Sequence, residues 1–148
     1  MDDYINEETN QVQNHGEAAE YSVKTYSEYP NLDLGKKGEE SAVRFLDSHG
    51  YQIVERNWRC TAGEADIIAL DGDVLVFVEV KTRSNIDKGY PEEAVTKEKR
   101  ERYERISAYY LRDAEYVDMR FRFDIIAILV LGNNKANLRH HINAFGTE

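Results

Sequence analysis

Asp66, a spacer of twelve residues, Glu79, and then Lys81 across a single Val80 form the group in this chain whose types and spacing can do chemistry. Two carboxylates brought to one strand face make a natural seat for a hard divalent ion such as Mg²⁺ or Mn²⁺, which prefers oxygen ligands. The intervening carbonyl of Val80 is a candidate further oxygen. Without a cation, neighbouring carboxylates repel and one tends to take up a proton. Such an ion lowers the pKa of a bound water and neutralises phosphoryl charge, which is the chemistry of phosphodiester hydrolysis. Lys81 is placed to orient the attacking water or to stabilise the charged transition state. Glu39, earlier in the chain, is the candidate to complete the set directly or through water, and Arg83, Lys97, Lys99 and Arg100 are candidates to hold a nucleic-acid backbone. The bland alternative is a buried ion-pair network with no catalytic task, since such networks also perturb pKa values.

The elements that must position these residues follow from local pattern. Gly63–Leu70 and Val74–Val80 are short apolar runs around Asp71-Gly72-Asp73, which reads as a β-hairpin. Val74–Val80 is apolar at nearly every position, so both of its faces should be covered. Residues two apart share a strand face, so Leu75, Phe77, Glu79 and Lys81 lie together. A two-residue turn puts Asp66 on that same face, opposite Phe77 or Glu79, and a three-residue turn sends it to the other.

Leu34–His49 has helical spacing, with Ala42, Phe45, Leu46 and His49 on one stripe and Gly50 as the stop. Glu39 then lies at the edge of that stripe; its bland reading is a solvated acid in an early helical turn. Tyr51–Arg59 is expected as a first strand, Ser84–Pro91 as a polar loop and Glu92–Leu111 as a second helix. The basic residues Lys97, Lys99, Arg100, Arg102 and Arg105 alternate there with Glu98, Glu101 and Glu104, which for most members reads as a solvated face. A buried strand over Ile125–Leu131 and a short edge strand over His140–Phe145 complete the order α-β-β-β-α-β-(β). That order fits a mixed sheet with helices on its faces.

At 148 residues the chain suits one domain with a real core, and its 41% hydrophobic and 32% charged residues are ordinary for a globular protein. The net charge of −9 argues at first against a polyanionic partner. Two thirds of it, however, comes from Asp2, Asp3, Glu7, Glu8, Glu17, Glu20 and Glu28 against Lys24. Residues 1–31 are therefore expected to be an acidic extension without regular structure, ahead of a nearly neutral domain over 32–148. The single Cys60 excludes an internal disulfide and a cysteine zinc cluster. The acidic start has no apolar leader and no run is long enough to span a bilayer, so a cytoplasmic protein without membrane association is expected. The histidines are poor ligands by position: His140 and His141 point to opposite faces of a strand, His15 lies in the acidic head, and His49 ends a helix.

Several stretches also carry a family resemblance. They are Gly35-Lys36-Lys37-Gly38-Glu39 with Ala42, Arg56-Asn57-Trp58-Arg59, Gly63–Ile68, Phe77–Arg83, Arg122-Phe123-Asp124 and Asn143-Ala144-Phe145. On these, residues 34–145 resemble the YraN family of small bacterial proteins, placed in the restriction-endonuclease-like PD-(D/E)xK superfamily. The likeness extends to archaeal Holliday-junction resolvases in the arrangement of Glu, Asp and Glu-x-Lys. It implies the nuclease core fold, with Asp66, Glu79 and Lys81 at the superfamily's catalytic positions and Glu39 as its helix acid. Ala65 stands where the family usually has Ile, and the acidic head has no counterpart. The resulting expectation is a Mg²⁺- or Mn²⁺-dependent nuclease acting on DNA in repair or junction processing, possible as a homodimer. The competing readings are a catalytically silent nucleic-acid-binding module and an interaction protein with an acidic head.

Overall fold

The computed structural model describes residues 34–84, 95–112, 115–130 and 135–145 in full, together with the backbone alone of 4–14, 18–26 and 131. Its elements in chain order are β1 (Tyr4–Asn14), β2 (Ala18–Tyr26), α1 (Leu34–Ser48), β3 (Gln52–Cys60), β4 (Gly63–Asp71), β5 (Val74–Arg83), α2 (Lys97–Tyr110), β6 (Arg120–Leu131) and β7 (Lys135–His141). The strands form one seven-stranded sheet in the order β1-β2-β7-β6-β5-β4-β3. Only β5 and β6 run parallel, joined by the crossover that contains α2, and every other neighbouring pair is antiparallel. This is a mixed α/β sheet flanked by helices, in keeping with the restriction-endonuclease-like arrangement.

Centrality explains the unbroken apolar run of β5. It lies between β4 and β6, and Leu75, Val76, Phe77 and Val78 have no exposed surface. Alternate residues divide between two cores. Val76 and Val78 join Ala42, Phe45 and Leu46 of α1 together with Ile67, Ile126 and Leu138. Leu75 and Phe77 join Tyr103, Ile106 and Tyr110 of α2 with Ile68 and Phe145. Phe77 and Phe123 are 5.7 Å apart by ring centroids, and Tyr103 meets Phe145 edge-on at 5.0 Å. Each helix therefore covers one face of the strand that ends in Glu79 and Lys81.

The hairpin turn has two residues. Asp71 pairs with Val74, Leu70 with Leu75 and Ile67 with Val78, which leaves Gly72 and Asp73 as the loop. Gly72 takes φ 60°, the left-handed region, and Asp73 does not, as when glycine holds the first central position of a hairpin turn. The even-length register expected from the sequence is the one formed.

Several boundaries differ from expectation. The acidic head carries a strand pair rather than an irregular backbone: β2 runs antiparallel to β7, from Ala18 opposite His141 to Lys24 opposite Lys135. The unpaired N–H and C=O groups on the outer edge of β7 invite a further strand whatever the side-chain polarity. The head's side chains, His15 included, lie outside the described residues. Helix α2 starts at Lys97, after Thr96 caps it by accepting a hydrogen bond from Lys99 N at 3.1 Å. The expected earlier start at Glu92 and most of the loop from Ser84 to Pro91 lie outside the described residues. Strand β6 begins at Arg120 because its charged first turn is paired, Arg120 to Asp73 and Arg122 to Asp71. The last strand is Lys135–His141 rather than His140–Phe145, and residues 142–145 turn back so that Ala144 N donates to Phe123 O at 2.8 Å. Cys60 ends β3 half-buried, as expected.

Candidate active site

Asp66 lies where the sheet's regular pairing lapses. The β4–β5 ladder stops at Ile67 and Val78, and the alternation of faces breaks at Asp66, since Ala65 belongs to the core under α2 and Ile67 to the core under α1. On the other side, Arg56 pairs with Ile67 and Trp58 with Ala65, so Asn57 is level with Asp66 and takes φ 52°. Asn is among the few residues that enter the left-handed region without severe strain. Val80 N, freed from the ladder, donates to Asp66 Oδ2 at 2.8 Å. Val80 thus orients Asp66 through its amide.

Glu79 is 7% exposed and faces α2 together with Lys81. Three cations surround it. Lys81 Nζ stands 3.6 Å from Oε1, Arg102 Nη2 3.9 Å from Oε1, and Lys99 Nζ 3.3 Å from Oε2. Oε2 is buried and has no hydrogen bond of good geometry, so Lys99 compensates its charge without satisfying its lone pairs. Below them Tyr103 is buried, and its phenol is held well above the ordinary value by burial first and by the charges of Glu79 and Asp66 next.

The acids act on one another. Burial pushes the Asp66 carboxyl up to about 6; the Val80 amide opposes the rise, and the charges of Glu39, Glu79 and Glu64 add to it. Burial is the larger cause, and the smaller part from the neighbouring acids is the repulsion expected of carboxylates gathered without a cation. Glu39 reaches this neighbourhood from α1, on the opposite face. Gly38 permits that approach, since a Cβ there would overlap Thr82 Oγ1 at the end of β5. The helix settles on the strand end and carries Glu39, half-buried, towards Asp66.

Among the described residues no three His, Cys, Asp or Glu side chains converge closely enough to hold a metal. An ion between Asp66 and Glu79 would rest on two carboxylates and complete its shell with water or backbone oxygen, the usual habit of Mg²⁺. The oxygen-only donors, the buried Glu79 Oε2 and the raised Asp66 fit such an ion.

The four residues expected to hold a nucleic-acid backbone separate. Lys97 is an exposed side chain 3.9 Å from Glu101, Arg83 is half-buried on β5, and Arg100 is half-buried with Nε enclosed. Lys99 is only 12% exposed and turned inward to Glu79. Arg102 and Tyr103 belong to the site and were not singled out for it from the sequence, although Lys99, Tyr103, Ile106 and Tyr110 stand one helical stripe apart.

A second polar cluster lies further along the sheet. Asp124 accepts from Arg122 Nε at 3.0 Å and Asn143 N at 2.9 Å, and it pairs with His140 Nε2 at 2.7 Å. Arg122 also donates to Asp71 at 2.9 Å and Tyr51 at 2.8 Å. Sequence spacing gave this role no hint beyond Arg122 and Asp124 sharing a strand face. His140, passed over as a ligand, is a buried partner here.

Known proteins resemble the chain over this whole region. The model of the uncharacterised protein family UPF0102 matches residues 38–128, which include Glu39, Asp66, Glu79, Lys81 and Lys99. A UPF0102 protein of Rhodococcus jostii (strain RHA1) is 45% identical over 115 residues, 78% of this chain and 98% of that protein. Another from Pseudarthrobacter chlorophenolicus is 47% identical over 107 residues, 72% of this chain and 81% of its own length. One from Caldicellulosiruptor saccharolyticus is 43% identical over 103 residues, 70% and 87% respectively. On this match the chain belongs to the uncharacterised protein family UPF0102, the YraN family.

Proposed function

We propose that residues 32–148 form a metal-dependent nuclease domain that hydrolyses phosphodiester bonds in DNA, in repair or junction processing. One observation carries this reading: Asp66, bonded to the amide of Val80 next to Glu79, is raised by burial first and by the charges of Glu39 and Glu79 next, and Lys81 stands beside Glu79. A purely structural pair would gain little from two acids placed to repel. Mg²⁺ or Mn²⁺, held by Asp66 and Glu79 with the Val80 carbonyl or water, would supply Lewis acidity and a more acidic water.

The chain's own residues account for the rest. Lys81, about one third exposed, reaches both Glu79 and solvent, and so is placed to orient an attacking water or to counter charge on the phosphoryl oxygens. Glu39 keeps the Asp66 side of the site acidic. Arg83, Lys97, Arg100 and Arg102 offer positive charge to the substrate backbone, contacts that fix position rather than sequence. Cutting both strands of a duplex or resolving a junction calls for two copies of the chain. Among the described residues no helix is long and apolar enough to cross a membrane.

The test is incubation of pure protein with Mg²⁺ or Mn²⁺ and linear, nicked, flapped and four-way DNA, with Lys81→Ala alongside. Cation-dependent cleavage that falls by at least about a hundredfold in the variant is expected, the scale of losing one transition-state charge contact. Salt-sensitive binding without cleavage would instead establish the silent binding module.

A further inference from the structure

We propose that Lys99 is a positioning residue of this site: it holds Glu79 through Oε2 and competes with a divalent ion for that oxygen. The inference rests on the metal-site reading above and adds an internal competitor to it. Charge alternation along α2 suggests a solvated lysine, yet this side chain is 12% exposed and its ammonium lies 3.3 Å from Glu79 Oε2. A buried lysine at the end of a helix is held in place by what it meets. Here it meets the one carboxylate oxygen in the site that is buried without a hydrogen bond of good geometry.

The surroundings reinforce this. Oε1 already has Lys81 and Arg102 within 4 Å, and the Arg102 guanidinium lies 5.7 Å above the Tyr103 ring. Lys99 and Tyr103 are one turn apart on the same face, so the packing of Tyr103 against Phe123 and Phe145 fixes where the ammonium arrives. An oxygen that a metal would need is therefore occupied by a tethered cation. The ion must displace the ammonium, and the released lysine is then free to meet the anionic substrate. Divalent affinity in the absence of DNA is thereby held down, and substrate and metal favour each other.

Lys99→Met removes the charge and keeps the length. Thermal unfolding in EDTA of the wild type, Lys99→Met, Glu79→Gln and the double variant measures whether the two groups are coupled. The same proteins titrated calorimetrically with Mn²⁺ measure competition. Lys99→Met is expected to lose several degrees of Tm, to lose much less in the Glu79→Gln background, and to bind Mn²⁺ about tenfold more tightly than the wild type. A purely structural lysine would not tighten metal binding. If Lys99→Met fails to fold, recovery of folding in the double variant supports the pairing, and failure of both overturns it. Equal loss of Tm in the two backgrounds overturns the pairing, and unchanged or weaker Mn²⁺ binding overturns the competition. Coupling without Mn²⁺ binding by any of the proteins refutes the metal-site reading and the competition together, and leaves Lys99 as the counter-ion of Glu79 alone.

Discussion

Asp124 and Glu79 are both buried carboxylates on adjacent parallel strands, and the fold treats them in opposite ways. Burial alone would raise the Asp124 carboxyl, but hydrogen bonds from His140 and Arg122, with the Asn143 amide, hold it below its ordinary value. Arg122 in turn is anchored by Asp71 and Tyr51, so the cluster is close to saturated. Glu79 has three cations near it and yet one oxygen without a hydrogen bond, and Asp66 beside it is raised rather than lowered. A satisfied buried network fixes a structure. Charge left poorly satisfied keeps capacity to bind something, which is why perturbed acids gather at functional sites.

The sharpest way to break the comparison is to delete Asp124. Asp124→Ala leaves His140 buried without its carboxylate and takes from Arg122 one of its three partners, and is expected to cost about 3–5 kcal/mol, read by urea unfolding. Should it cost no more than a surface substitution, the Asp124 cluster would not be the anchor described here.

A smaller effect sharpens the contrast through pH. Asp66 is raised from 3.8 to about 6, so the folded protein binds its proton more tightly than the unfolded chain does. Its contribution therefore favours folding below pH 4 and is lost as pH rises through 6, a change on the order of 3 kcal/mol. Asp124 has the opposite sign: its lowered value adds stability above pH 4 that is lost as the solution is acidified through the folded value. In EDTA, Asp66→Asn should flatten the fall in Tm between pH 4 and 6. An unchanged slope would remove Asp66 as its source.

These two regions also differ in how far the sequence revealed them. The hairpin that carries Asp66, Glu79 and Lys81 was legible because Gly72 marks a two-residue turn, and strand parity puts Glu79 and Lys81 on one face. Lys99 was grouped with the substrate-backbone contacts because the charges of α2 alternate, although its place on one stripe with Tyr103, Ile106 and Tyr110 marks the helix face that meets β5. The Asp124 cluster depends on β6, β7 and the turn at Asn143 meeting in three dimensions, and the position of β7 was itself shifted in the sequence reading. The strands of the acidic head escaped notice because backbone pairing on the β7 edge does not require an apolar pattern.

The central claim is that Asp66 and Glu79 form one seat for a divalent ion. Calorimetric titration of Mn²⁺ into the wild type, Asp66→Asn and Glu79→Gln at pH 7.5 (all without DNA) tests it most directly. The account predicts one ion bound by the wild type and saturable binding lost in both variants. Binding that survives either substitution, or that no protein shows, would contradict it.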